Sequence, residues 1–316
     1  MLMKSSGTTR RGFLRQAGTA AVAWAAGSRL ASSLPATLPS PVGCSIISWP
    51  ADEFAQALET ISALGYHGVQ LLGWVQDAYA GNKAVELKNR LQKFKLSAAA
   101  LSCGKVSLRP DSSKDFAAEF RECADFLHAL NGDVLQLIDG AKPRGNYSAS
   151  QIKSMGATMN EMGKIAKDSG MTVAYHPHFW RLGETREGLG RVLDATDPRY
   201  VGLIADVAHL TMGGSDPAEV IRTYRERLVM LHFKDVRREA FELARHNPDA
   251  VKGLKTHFCE IGTGVVNFPA ITASLREVQY KGWIIVELDS YAQPAGGPAE
   301  SARTNRDAIR TMGFNV

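Results

Sequence analysis

Val201-Gly202-Leu203-Ile204-Ala205-Asp206-Val207-Ala208-His209 runs apolar into an acid, with a histidine three residues further on. An unbroken apolar run closed by small residues reads as a strand buried on both faces, the kind that parallel sheets use. Asp206 then stands at the carboxyl end of that strand, with His209 in the loop beyond. Three other stretches share the design. Met171-Thr172-Val173-Ala174-Tyr175 leads into His176-Pro177-His178, Leu228-Val229-Met230-Leu231 into His232-Phe233-Lys234-Asp235, and Gly282-Trp283-Ile284-Ile285-Val286 into Glu287. Four successive strands each present an ionisable group at the same end, which is the signature of a site.

Working outward, strand-like and helix-like stretches alternate from Pro41 to the end. The strands are read at 42–47, 68–72, 96–101, 133–138, 171–175, 200–205, 228–233 and 283–287. Asp52 is placed as the cap of the first helix, Pro217 in the first turn of a later one, and Gly170 at the end of the long helix 149–169. Eight strand–helix units predict an α/β fold, a single (β/α)8 TIM barrel, for which 316 residues are ample. An open doubly wound sheet would want a glycine-rich loop after the first strand, and Ser45-Ile46-Ile47-Ser48-Trp49 has none. About thirty residues separate Asp235 from the helix near Phe268. A connection that long at the carboxyl face reads as a lid or substrate wall, carrying Arg237, Arg238, His257 and Glu260.

Residues 1–36 form a distinct leader. Thr9-Arg10-Arg11-Gly12-Phe13-Leu14-Arg15 is a twin-arginine pattern, followed by the apolar Ala17–Ala26 and small residues around Ala31 and Ala36. That order predicts a signal peptide for twin-arginine export to the periplasm or the exterior. Its apolar part is too short for a permanent membrane span. The barrel domain is then 41–316. The whole chain carries a formal charge of +5, but five of its 37 basic residues and none of its 32 acids lie in the leader. The mature part balances, which removes the electrostatic case for a nucleic-acid partner and favours a small neutral substrate. Cys44, Cys103, Cys123 and Cys259 show no metal-binding spacing and are expected as buried free thiols. Self-association is not decided by the sequence.

The strand-end residues offer two carboxylates, Asp206 and Glu287, and imidazoles from His232 and from His176 or His178. Mixed oxygen and nitrogen donors suit one divalent ion, Mn, Zn, Co or Mg. The chemistry this allows is proton removal next to a carbonyl, with Glu287 as first candidate base and His209 or His178 as its acid partner. Lys234, Arg237, His209 and Glu260 are candidate substrate-binding residues.

From about Val42 onward, and most strongly from Tyr175, the chain resembles the xylose-isomerase-like barrels. These include sugar isomerases, tagatose-type 3-epimerases, myo-inosose dehydratases and endonuclease IV nucleases. The inosose dehydratase branch is similar in Tyr175-His176-Pro177-His178, Asp206-Val207-Ala208-His209-Leu210 and His232-Phe233-Lys234-Asp235-Val236-Arg237. The likeness continues in Ile261-Gly262-Thr263-Gly264-Val265-Val266-Asn267-Phe268 and Gly282-Trp283-Ile284-Ile285-Val286-Glu287. The resemblance implies a metal held by Glu, Asp, His and Glu from strands five to eight, of which Asp206, His232 and Glu287 carry over. His176 stands where many relatives have the first Glu, and Gln70 where relatives often have Glu on strand two. The implied function is a metal-dependent isomerase or epimerase acting on a keto-sugar or keto-cyclitol. The alternative is a dehydratase using the same enediolate chemistry. A sugar-binding protein without turnover and a nuclease are the remaining classes, the latter disfavoured by charge balance and by Gln70.

Overall fold

The computed structural model describes residues 37–108, 113–141, 145–254, 256–289 and 296–316. The leader expected over 1–36 lies outside the described residues. From Leu38 to Val316 the chain is one compact unit. Its eight long parallel strands are β1 (Val42–Ser45), β2 (Gly68–Leu71), β3 (Ser97–Val106), β4 (Val134–Asp139), β5 (Thr172–Tyr175), β6 (Val201–Asp206), β7 (Leu228–Phe233) and β10 (Trp283–Val286). They close in the order β1-β10-β7-β6-β5-β4-β3-β2. The remaining two, β8 (Asp235–Val236) and β9 (Phe258–Cys259), form a small antiparallel pair outside the barrel.

Successive strand residues point to opposite faces, so every second residue enters the barrel. Ala100, Val134, Ala174, Ile204, Met230 and Ile285 come from six different strands and pack together as one buried cluster. Residues from so many strands meet only inside the barrel, so this cluster is its floor. Two residues further along the same strands stand Ser102, Gln136, His176, Asp206, His232 and Glu287. The apolar floor therefore places a ring of polar side chains one layer above it, at the carboxyl mouth. The outer faces of the strands pack against the helices in the larger core.

Several local expectations change. Asp52 lies inside a single 3-10 turn, Ala51–Glu53, and the following helix Phe54–Ala63 has no side-chain cap. His209 is not in a loop: it belongs to the helix Val207–Met212, whose N-cap is Asp206 itself. A further helix, Gly73–Tyr79, follows β2. The long connection after β7 is not structureless, because it holds β8, β9, the helix Arg238–His246 and the 3-10 helix Pro248–Gly253. Cys44, Cys123 and Cys259 are buried while Cys103 is only half-buried, and all four are free. No helix among the described residues is long and apolar enough to cross a membrane.

The long helix Ala149–Asp168 starts at a capping box on Ser148 and Gln151, and its chain turns away through Gly170 at φ +75°. It lies against the 195–200 segment at two glycines one heptad apart. A Cβ on Gly163 would sit 2.2 Å from the Tyr200 carbonyl oxygen, and one on Gly156 2.2 Å from that of Ala195. Backbone cannot yield as a side-chain tip can. Gly163→Ala is expected to cost about 1–3 kcal/mol, in the range of an overpacked core. Chemical denaturation that finds no loss would show that the helix can shift freely.

Candidate metal centre and active site

β5, β6, β7 and β10 each carry one polar side chain of the mouth layer into a single cluster. Asp206 does two jobs with its two oxygens. Oδ1 accepts the backbone N–H groups of Ala208 at 3.0 Å and His209 at 2.8 Å, fixing the start of the helix behind it. Oδ2 faces inward, 3.2 Å from His176 Nε2, 3.4 Å from His232 Nδ1 and 3.1 Å from Lys234 Nζ. Glu287 is divided in the same way: Oε2 lies 3.6 Å from His232 Nδ1, and Oε1 accepts from Lys234 Nζ at 2.7 Å.

These spacings test whether a metal fits. An ion bound at about 2.0–2.2 Å keeps neighbouring ligand atoms about 2.9–3.6 Å apart in tetrahedral or octahedral geometry. The contacts of 3.2, 3.4 and 3.6 Å among His176 Nε2, Asp206 Oδ2, His232 Nδ1 and Glu287 Oε2 fall in that range. One donor atom from each of His176, Asp206 and His232 lies within 4.8 Å of the others, and all three residues are buried. Both ring nitrogens of His232 are buried with no hydrogen-bond partner. A buried polar atom left unpaired is costly, and a cation removes that cost. The residues present fit a divalent ion, and of the two strand-five histidines it is His176 whose ring nitrogen lies within reach of Asp206 and His232.

Protonation states agree with this fit. Burial pushes the His176 and His209 imidazoles down, and burial with His176 and Lys234 nearby takes His178 to about 3, so all three are neutral at pH 7. Burial alone would raise Asp206, but Lys234 and His209 hold it well below the usual carboxylate range. Burial would likewise raise Glu287, yet Lys234 and then His232 hold it at about 2. Asp289, half-buried and 3.2 Å from Lys234 Nζ, is raised by desolvation. Three carboxyl groups, of Asp206, Glu287 and Asp289, lie within 3.2 Å of the one Lys234 ammonium.

Lys234 is the hub of the polar network. It lies at 1% exposure and donates to Glu287 and Asp289, with His209 Nε2 3.2 Å away. The Phe258 ring centroid is 4.7 Å from Nζ, closing the cluster from the β9 side with a cation–π contact. Phe258 also meets the His209 ring edge-on at 5.1 Å, and His209 lies 3.7 Å from the His178 ring. Beyond them Trp180 meets His257 edge-on at 5.4 Å.

Among the candidate residues read from sequence, the fold therefore gathers His176, His178, Asp206, His209, His232, Lys234 and Glu287. It does not gather Arg237 or Glu260. Arg237 is exposed and precedes the helix Arg238–His246, its backbone N–H bound to His257 O at 3.0 Å. Among the described residues no hydrogen bond or ion pair joins Arg237 or Glu260 to the cluster. β8 pairs with β9 outside the barrel sheet, and Arg237 follows immediately after β8. Asp289, Phe258 and the neutral residues Gln136 and Ser102 were not read from the sequence. Gln136 and Ser102 lie two residues beyond floor residues, and that periodicity is the signal that marks them.

Comparison with known proteins adds four findings. Residues 58–312 match the family described as xylose isomerase-like TIM barrel. An inosose dehydratase of Lacticaseibacillus casei is 26% identical over 277 residues, covering 78% of this chain and 89% of its own. Among solved structures, a sugar phosphate isomerase/epimerase from Parabacteroides distasonis is similar with a TM-score of 0.67 at 18% identity, over 88% of this chain and 95% of that one. The IOLI protein with a binding zinc atom is similar with a TM-score of 0.69 at 15% identity, over 86% and 98%. At these identities the two structural likenesses speak for the fold.

Proposed function

Because this chain belongs to the xylose isomerase-like TIM barrel family, we propose that it is a divalent-metal-dependent enzyme that takes a proton from the carbon next to the carbonyl of a keto-cyclitol or keto-sugar and then expels the β-hydroxyl as water. The carrying observation is the buried Glu287–Lys234 pair at 2.7 Å beside the imidazole nitrogens. It sets a base and a proton donor side by side, as an elimination requires. The match to an inosose dehydratase supports the same outcome.

His176, Asp206, His232 and Glu287 would hold the ion, which when bound supplies Lewis-acid polarisation of the carbonyl. Glu287 accepts the α-proton as the C–H bond breaks and the enolate forms. As the electron pair returns and the C–O bond breaks, the Lys234 ammonium protonates the departing hydroxyl. Water leaves, and the proton on Glu287 returns to Lys234 across their contact, restoring both groups. His209, within 3.2 Å of Nζ, steadies the ammonium at the position where it donates.

The isomerase or epimerase outcome expected from sequence shares the first step and differs only in the fate of the enolate. Inversion at one carbon needs acid–base groups on two opposed faces. Among the strand-end groups His176, Asp206, His232 and Glu287, Glu287 is the one carboxylate not committed to a helix cap. That favours elimination. For localisation, the twin-arginine leader supports export to the periplasm or beyond.

The test is incubation of the Mn²⁺-loaded protein with 2-keto-myo-inositol in D₂O. Exchange of the α-proton is followed by NMR and the unsaturated ketone by ultraviolet absorbance. Both signals are expected, and Glu287→Gln should lower them by about 10²-fold or more, as the loss of a general base does. Exchange without unsaturated product would transfer the function to the isomerase class. No exchange with any keto-cyclitol or keto-sugar would leave a binding protein.

A further inference from the structure

The mouth layer has two unlike halves. β5, β6, β7 and β10 carry the charged cluster; β1, β2, β3 and β4 carry Ser45, Gln70, Ser102 and Gln136, with no charge among them. Strand register joins the halves directly. Lys234 and Glu287 follow the paired Phe233 and Val286 of β7 and β10, Glu287 lies one step beyond the Val286–Cys44 pair, and Ser45 pairs with Gln70.

Gln70 is fully buried, and its Nε2 donates to Ser102 Oγ at 3.1 Å and to Gln136 Oε1 at 3.0 Å. A bond from β2 to β4 passes over β3, so it runs inside the barrel. Gln70 Oε1 has no partner although it is buried. A fully buried amide with both donors used and its acceptor unpaired is a costly arrangement for a purely structural residue. A hydroxyl donor arriving in the mouth would satisfy it. Ser102 is only half-buried, so the set is not sealed from above.

We propose that Gln70, Gln136 and Ser102 form a hydroxyl-recognition subsite that holds the part of a neutral polyol ring remote from the reacting carbons. This rests on the functional reading above and deepens it. The charged half works on the carbonyl carbon and its neighbour. The neutral half accepts from, and donates to, ring hydroxyls without placing a charge against them. An amide with one free acceptor selects a ring that offers a hydroxyl there over its deoxy analogue, because the analogue leaves the buried oxygen unpaired.

The experiment uses Gln70→Met, which keeps side-chain length and removes the amide, with Gln136→Met as a second variant should the first fail to fold. Calorimetry with myo-inositol, which has the hydroxyls but no ketone, reads the subsite apart from the chemistry. Affinity is expected to fall about tenfold in the variant. With 2-keto-myo-inositol, KM is expected to rise by a similar factor with kcat within about twofold. One mono-deoxy analogue should bind wild type and variant alike. Equal affinity of wild type and variants for myo-inositol, or no binding to wild type, overturns the subsite. Loss of myo-inositol affinity in the variants, with no turnover of any ketone by wild type, would uphold the subsite and reject the dehydratase reading alone.

Discussion

Replacing Asp206 by Asn is expected to abolish stoichiometric divalent metal while leaving the barrel folded. Asn keeps an oxygen able to accept the Ala208 and His209 N–H groups, so the helix Val207–Met212 retains its cap. What disappears is the negative charge on Oδ2, the atom that lies within 3.4 Å of both His176 Nε2 and His232 Nδ1. Loss of a partner that merely orients a ligand costs roughly 10–100-fold in metal affinity. Loss of a charged donor should exceed about 100-fold, and turnover should fall with it. Elemental analysis of protein loaded with Mn²⁺ or Zn²⁺ checks this against a near-native melting profile. Undiminished occupancy in Asp206→Asn would dismiss the site.

Lys234→Met should produce the largest change in stability, and one whose dependence on pH reverses. In the metal-free protein, Lys234 is the cation that Asp206, Glu287 and Asp289 share. Removing one partner of a buried ion pair typically costs about 3–5 kcal/mol, because the remaining charge is left uncompensated. In the wild type the Glu287 carboxyl is held down from 4.5 to about 2. A depressed folded pKa adds stability that is fully present above the unfolded value and lost as pH falls from 4.5 toward 2. In the variant, burial dominates and raises these carboxyls above their unfolded values. Their ionisation then destabilises the fold, so stability is lost as pH rises. Denaturation with chelator from acid to neutral pH should show the two slopes opposed. Added Mn²⁺ should restore part of the loss by mass action. A change below about 1 kcal/mol at pH 7 would show that Lys234 is not what compensates these carboxylates.

The barrel was legible because parallel strands buried on both faces must be apolar runs, and each of the eight is bounded by turn residues or an ionisable group. The charged half of the site was legible for the same reason: a histidine or carboxylate ending an apolar run has few structural explanations when four occur in succession. Gln136 and Ser102 are neutral polar residues in strands and carry no such signal; only the register over the floor shows which way they face. Arg237 is the opposite case. It follows His232 closely in sequence, but it lies exposed just past the two-residue β8, which pairs with β9 and not with a barrel strand. Asp206 concealed its second role, since capping and ligation call for the same residue type at the same place. The helix Gly73–Tyr79 opens on a glycine and has a single buried residue, Val75, so it lacks a clear apolar stripe.

Asp235, next to the site, has a different bearing. Its two carboxylate oxygens accept the backbone N–H groups of Val236, Gly262, Gly264 and Val266 at 2.7–3.0 Å. Ile261 N–H is held by Asn305 Oδ1 at 2.7 Å. Both ends of the long connection after β7 are thus tied to one buried side chain, independently of what lies between them. Length changes between His246 and His257 need not disturb the strand register or the stem of the loop. The barrel can therefore acquire a new outer wall by insertion or deletion there while the strand-end cluster stays as it is. The outer wall and the stability of the core can then change independently within one chain.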